Sequence, residues 1–375
     1  HRDLHSFPTR RSSDLMLMDR HPEFTTASGD WHSVKLFEIM EDLSDDHLVT
    51  FPPTLDTPPL ADLGVLNSGD GELLAQYLVW AMQYFPARNY AVAFASHGAG
   101  WQGLVADYTA DYSTITVPEM RQAFEVALAA AGRERFDLLV NDACSMSSVE
   151  YYAALAEFFD LSIASAEIVI DPAMDMTLFV NMLRENPEID LRDLGQQLVD
   201  KYISYDTRLV PTDDAAYLTQ AVTDLQVFDP VTVAIERFAA IVNERPAFFS
   251  RTLGEARSNT YTYSSFLGYT TKIDLGHFMS RVIVAARDER LIEAAQSVLD
   301  ALNEAMLFGE AGEIASGKVS HYNIYFPESS NRFRIEYFSS TPLPEWGRML
   351  RNYYNAVTPQ VWLGDRKSTR LNSSH

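Results

Sequence analysis

An apolar run at residues 136–140 (FDLLV) breaks off into Asn141-Asp142-Ala143-Cys144, and small polar residues follow before the chain turns apolar again. A continuous apolar run of this length reads as a short strand buried on both faces, the kind that builds a parallel sheet covered by helices. Cys144 is the one cysteine in the chain. At the carboxyl end of a strand, at a strand-to-helix turn, it stands where open α/β sheets place their ligand sites. A helix amino terminus directly after it would favour the thiolate over the thiol, whose ordinary pKa is about 8.5. A second apolar run, residues 90–96 (YAVAFAS), ends in His97-Gly98-Ala99-Gly100-Trp101. If the two strands are parallel neighbours, His97 and Cys144 share one edge of one sheet. Singly, each has a plainer explanation: a lone Cys after a strand is commonly a small buried hydrophobe, and a His before Gly a turn residue. Together, at matching strand ends, they are the thiol and the base that nucleophilic acyl transfer requires.

The blocks HGAGW and NDACSMSSVE resemble the two signature blocks of the clostripain family of cysteine peptidases, in the caspase-like group. The resemblance continues through YFPARNY at 84–90, IDL at 273–275, YNIYFP at 322–327 and the 346–353 stretch, so it covers nearly all of the chain between its two ends. It implies a caspase-like α/β fold, a three-layer sandwich with a mostly parallel sheet between helices. It also implies a cysteine endopeptidase that cleaves protein or peptide substrates through an acyl-enzyme. In that chemistry Cys144 is the nucleophile and His97 the general acid and base, a dyad with no required third carboxylate. The backbone N–H groups of Gly98 and Cys144 are the oxyanion donors that the resemblance supplies.

Asp142 lies two residues before Cys144, hence on the same side of the strand. By resemblance it lines a pocket for Arg or Lys before the scissile bond; its local alternative is to cap the next helix. Relatives that prefer basic residues often carry a second acid in the loop after the next strand. Here residues 164–176 read ASAEIVIDPAMDM, which puts Pro172 where that acid usually stands and Met174 where a Trp does. Asp171 is the adjacent substitute. The rival from another class is a catalytically silent scaffold that kept the fold, which the presence of both His97 and Cys144 opposes. An α/β-hydrolase with a Cys nucleophile is ruled against by order, because there the His follows the nucleophile and glycines flank it.

Composition bounds the rest. The chain has 375 residues and a formal charge of -23, which argues against nucleic acid as a partner. No run of 18 apolar residues suggests a membrane span, and one cysteine allows no internal disulfide. No zinc-ligand spacing appears, so no cofactor is required. The resemblance brings in calcium, which supports some relatives; acidic stretches at 41–46 and at Asp213-Asp214 could supply oxygen ligands. His277 and His321 stand outside the signature blocks and read as structural. Both ends look foreign: residues 1–15 and 365–375 read as translated sequencing adapters and are excluded from the fold. The expected organisation is a peptidase domain at 16–210 that lacks its first strand, then a mostly helical region at 211–364 packed on it, as a monomer. With the true amino terminus missing, the sequence carries no leader signal either way; the resemblance favours a secreted or cell-envelope protein.

Element by element, strands are expected at 34–39, 90–96, 136–140, 161–165, 217–224 and 322–327. Helices are expected at 73–84, 119–131, 149–159, 177–183, 191–205, 230–243, 275–287, 291–307 and 346–354. Residues 107–116 read as a polar loop, and 245–269 as an aromatic stretch rich in Ser and Thr with no assigned element.

Overall fold

The computed structural model describes residues 14–21, 31–39, 58–170, 173–204, 215–263 and 271–357. Strand β1 (Asp14–Met18), whose first two residues belong to the 1–15 end expected from sequence to lie outside the fold, pairs antiparallel with β2 (Lys35–Ile39), and β3 (Ala61–Asp62) adds to β2 as a small separate sheet. Helix α1 (Gly71–Tyr84) begins where the Asp70 carboxylate accepts from the Glu72 amide, an N-cap that stabilises a helix by about 1 kcal/mol. Then come β4 (Ala91–Ala95) and a hairpin of β5 (Leu104–Asp107) and β6 (Ser113–Ile115), where the sequence suggested a loop. Helix α2 (Val117–Ala131) opens on a capping box between Thr116 and Glu119 and closes on Gly132 at φ +63°. Strand β7 (Phe136–Asp142), helix α3 (Val149–Leu155) and strand β8 (Phe159–Ala164) carry the nucleophile segment. Helices α4 (Met176–Glu185) and α5 (Leu191–Ile203) follow.

The carboxy-terminal region contains β9 (Thr219–Asp224), α6 (Asp229–Glu244), α7 (Pro246–Ser258), β10 (Lys272–Asp274), α8 (Leu275–Ala285) and α9 (Glu289–Ala305). It ends with β11 (Met306–Ala311), β12 (Asn323–Tyr325), α10 (Tyr337–Ser340) and α11 (Pro344–Val357). Helix α7 occupies the stretch left unassigned from sequence, with Pro246 in its first turn, where the missing N–H costs nothing. Helix α9 stops before the expected position because Met306 turns extended and pairs with β9.

The central sheet has the order β11-β9-β8-β7-β4. Strands β4, β7 and β8 are parallel, β9 is antiparallel to β8, and β11 is antiparallel to β9, so β9 alone opposes the common direction. The period of two along β7 divides the core. Leu139 faces a large cluster with Phe124, Tyr152, Phe238 and Trp346, which Phe136 joins at the start of the strand against the alternation; Leu138 and Val140 face a second one with Ile163, Leu198 and Val222. Helices therefore cover both faces, giving the three-layer α/β sandwich. β9 and β11 belong to this sheet, so the change of rhythm near residue 211 is no break in the core. β4 forms the sheet edge: Val92 and Phe94 are buried while Ala91, Ala93 and Ala95 are exposed. Arg184 of α4 ties on the small sheet through Asp14 and the Ile39 carbonyl.

His321 marks where acid acts on this fold. It is buried at φ +63°, its Nδ1 has no hydrogen-bond partner among the described residues, and burial pushes its pKa down to about 4. Between that value and the ordinary 6.5 the unfolded chain binds the extra proton, so the folded state loses stability as pH falls through this window, by about 3 kcal/mol in all. We expect His321→Asn, which tolerates positive φ and does not titrate, to lose markedly less stability than the native chain between pH 6.5 and 4 in urea titrations. Taking the difference between the two proteins cancels Asp274, which burial pushes up to about 6.

Candidate active site

The last registered pair between β4 and β7 is Ala95 with Asp142. Two residues further along each strand come His97 and Cys144. The Ser96 amide still reaches the Asp142 carbonyl (3.3 Å), so the two chains leave the sheet together at the same edge. Glycines set how close they come. A Cβ on Gly98 would lie 2.5 Å from the Cys144 carbonyl oxygen, so only glycine fits there. Gly100 sits at φ +67°, and a Cβ on it would lie 3.2 Å from the Ser145 oxygen and 3.5 Å from Cε of Lys272. Among the described residues neither the Gly98 nor the Cys144 amide donates to an acceptor. Trp101 is buried and anchors the His turn on Tyr325 (5.2 Å between rings) and Tyr337 (5.1 Å).

The Cys turn is longer than its sequence suggests. Helix α3 begins only at Val149, with Ser148 at its cap, so the helix terminus does not directly follow Cys144. In between, Ser145 adopts φ +61°, a costly conformation for a residue with a side chain. Partners from distant segments hold it there. The Ser145 amide donates to the Glu167 carbonyl (2.8 Å) and the Ser147 amide to the Ser165 carbonyl (2.9 Å). Asn323 of β12 donates from Nδ2 to the Ser145 and Ala166 carbonyls (2.9 and 3.1 Å), and its amide donates to the Ser147 carbonyl. Ser147 Oγ donates to the His321 carbonyl (2.6 Å). Neither Ser145 nor Asn323 stood out in the sequence; the only signal for Asn323 was its place in the YNIYFP segment.

Cys144 is half-buried, and the backbone of Val169 meets its Sγ: the Val169 amide donates to sulfur at 3.4 Å, and the sulfur lies 3.8 Å from the Val169 carbonyl. His97 is exposed, its ring edge-on to Tyr108 at 5.7 Å. No hydrogen bond joins His97 to Cys144 in this structure. Such bonds commonly tighten only when substrate is bound. Asp142 is buried and accepts from the Met174 amide (2.9 Å), so it is tied to Met174, while Ser148 stands at the cap of α3. Asp171 and Pro172 lie outside the described residues, as do both acidic stretches considered for calcium. Among the described residues no group of three or more His, Cys, Asp or Glu side chains could hold a metal, and no helix is long and apolar enough to cross a membrane.

One cation enters the site from a distance. Lys272 of β10 lies against the Gly100 turn, and burial pushes its pKa down to about 8 against the opposing pull of Cys144, Glu150 and Glu167. Nothing in the local sequence around residue 272 points to this position.

The β5–β6 hairpin meets His97 through Tyr108. Its turn is formed by Ala110, Asp111, Tyr112 and Ser113, closed by a bond from the Ser113 amide to the Ala110 carbonyl (2.9 Å). Asp111 and Tyr112 take φ +54° and +59°, the two left-handed central positions of a type I′ turn, which usually carry Asn and Gly. Asp107 stiffens the turn: its carboxylate accepts from the amides of Ser68, Thr109 and Ala110 and from Thr109 Oγ1, and despite burial those bonds hold its pKa below the usual range.

A profile of the clostripain family matches residues 61–360. No curated protein sequence matches the chain. Among solved structures, a secreted C11 cysteine protease from Bacteroides thetaiotaomicron in complex with an irreversible peptide inhibitor is similar, with a TM-score of 0.60 and 14% identity over 90% of this chain and 88% of that one. Another structure of a secreted C11 protease from the same organism, called iotapain, has a TM-score of 0.60 and 16% identity over 92% and 88%. An inactive zymogen C11 protease from Parabacteroides distasonis has a TM-score of 0.55 and 16% identity over 86% and 84%. At these identities the likeness speaks for the fold, and the family match, which spans most of the chain, carries the assignment: this chain belongs to the clostripain family of cysteine peptidases.

Proposed function

We propose that the protein is an endopeptidase working through a dyad of Cys144 and His97. His97 takes the thiol proton, and the sulfur attacks the scissile carbonyl carbon. The resulting oxyanion is received by the amides of Gly98 and Cys144. His97 then passes its proton to the leaving amine, and the C–N bond breaks to leave a thioester on Cys144. Water, deprotonated by His97, attacks that thioester and releases the new carboxyl end and the free thiol. The observation that carries this reading is the convergence at one strand edge of the thiol, the imidazole and two amides that donate to no described residue. The secreted protease among the similar structures supports secretion for this chain as well.

For the residue before the scissile bond, we propose Arg or Lys, anchored by Asp142 beside the nucleophile. Lys272 favours a second reading, an uncharged residue before the scissile bond, since a cation against the Gly100 turn opposes another one nearby. Fluorogenic peptides that differ only in that residue decide between them, with Cys144→Ala alongside. We expect turnover after Arg or Lys to exceed turnover after Ala by at least tenfold, and Cys144→Ala to abolish it. Turnover in Cys144→Ala, or none in the folded native chain, defeats the dyad. Equal turnover after Ala and Arg defeats the basic preference alone.

A further inference from the structure

The hairpin beside His97 displays a bulky side chain at a costly backbone position with no folding return in view. Tyr112 has φ +59°, which suits glycine and is rare for a large residue. Its ring packs on Tyr108 at 5.0 Å yet remains 67% exposed. Tyr108 in turn packs on His97. Asp107 fixes the backbone between the two rings through the Thr109 and Ala110 amides. Apolar surface continues outward: Val65 and Leu66 are exposed, and the residues after them dock on the hairpin through Asn67 Nδ2 to Ser113 Oγ and the Ser68 amide to Asp107. Backbone strain at an exposed position next to reactive groups is an argument for function.

We propose that Tyr108 and Tyr112 form a substrate subsite that takes a large apolar or aromatic side chain on the residue following the scissile bond. The inference rests on the peptidase reading above. His97 must come within hydrogen-bond reach of the leaving amine to protonate it. The side chain on that amine therefore passes the surface that flanks His97, which is the face of Tyr108 and Tyr112. Two adjacent rings offer edge and face contacts to an arriving ring or branched chain.

The test uses internally quenched peptides identical except for Phe, Leu, Gly or Asp after the cut, with the native chain, Tyr112→Gly and Tyr112→Phe. Glycine suits the backbone at 112, so Tyr112→Gly is not expected to unfold. We expect kcat/KM to be at least tenfold higher with Phe than with Gly, the discrimination an apolar pocket ordinarily supplies. The ratio should fall to about twofold in Tyr112→Gly and persist in Tyr112→Phe. A Phe-to-Gly ratio near one in the native chain, or one that survives Tyr112→Gly, overturns the subsite. If no peptide is cut, the peptidase reading fails, and fluorescence anisotropy with the same peptides on the full chain still decides the subsite. Tighter binding of the Phe peptide, lost in Tyr112→Gly, supports it; equal binding overturns it.

Discussion

Replacing His97 with Ala is expected to lower kcat/KM by about 10³-fold on the best peptide, a loss of roughly 4 kcal/mol in transition-state stabilisation. The imidazole acts in both halves of the proposed reaction, first taking the thiol proton and delivering it to the amine, then activating water. Its removal therefore burdens acylation and deacylation alike. Its exposure makes the variant informative, because little packing is lost and the urea midpoint should stay close to that of the native chain. The double variant with Cys144→Ala should be no slower than Cys144→Ala alone, since groups that act as a unit do not add. A His97→Ala protein that retains a tenth of native activity would remove His97 from the mechanism.

The largest effect on stability is expected at Glu150, in the first turn of α3. Its carboxylate is fully buried and gathers three donors: Tyr325 N (2.8 Å) and Tyr337 Oη (2.9 Å) on Oε1, and Ser148 Oγ (2.8 Å) on Oε2. Burial raises its pKa above the usual carboxylate range, against the lowering effect of those bonds. Glu150→Ala leaves three buried donors without a partner, each costing about 1–3 kcal/mol. We expect about 4 kcal/mol of destabilisation, read as a lower urea midpoint at unchanged slope. Glu150→Gln keeps an acceptor for Tyr325 and Tyr337 and should cost about 1 kcal/mol. Because Tyr325 and Tyr337 also pack on Trp101 of the His turn, the Ala variant should lose peptidase activity along with stability. A loss no larger in Ala than in Gln would show that the carboxylate does not organise this junction.

Much of the site could be read in sequence because its chemistry is local. The apolar runs before His97 and Cys144 are consecutive residues, and two parallel strands that end alike must present their next residues at one edge. The glycines of HGAGW were legible too, although the structure gives Gly98 a further reason, its contact with the Cys144 carbonyl. Helices α1 and α2 start two residues ahead of the expected positions, at the Asp70 cap and the Thr116–Glu119 box. Where strand pairing decided the outcome, the local pattern misled. Met306 reads as the end of a helix until β9 lies beside it, and the 104–115 hairpin depends on turn residues that ordinarily avoid positive φ.

By itself, the sequence determined the α/β alternation, the shared edge for His97 and Cys144, and the membership of the clostripain family, all of which rest on short contiguous patterns. Tertiary structure alone decided what surrounds the sulfur. Asn323 reaches the Ser145 carbonyl across 178 residues of chain, Lys272 arrives against the Gly100 turn, and Val169 closes on Cys144 from the loop after β8. No local period encodes such meetings. They follow from how the carboxy-terminal strands and helices pack once the sheet is formed, and in that packing a buried carbonyl or carboxylate takes whatever donor the fold brings within reach.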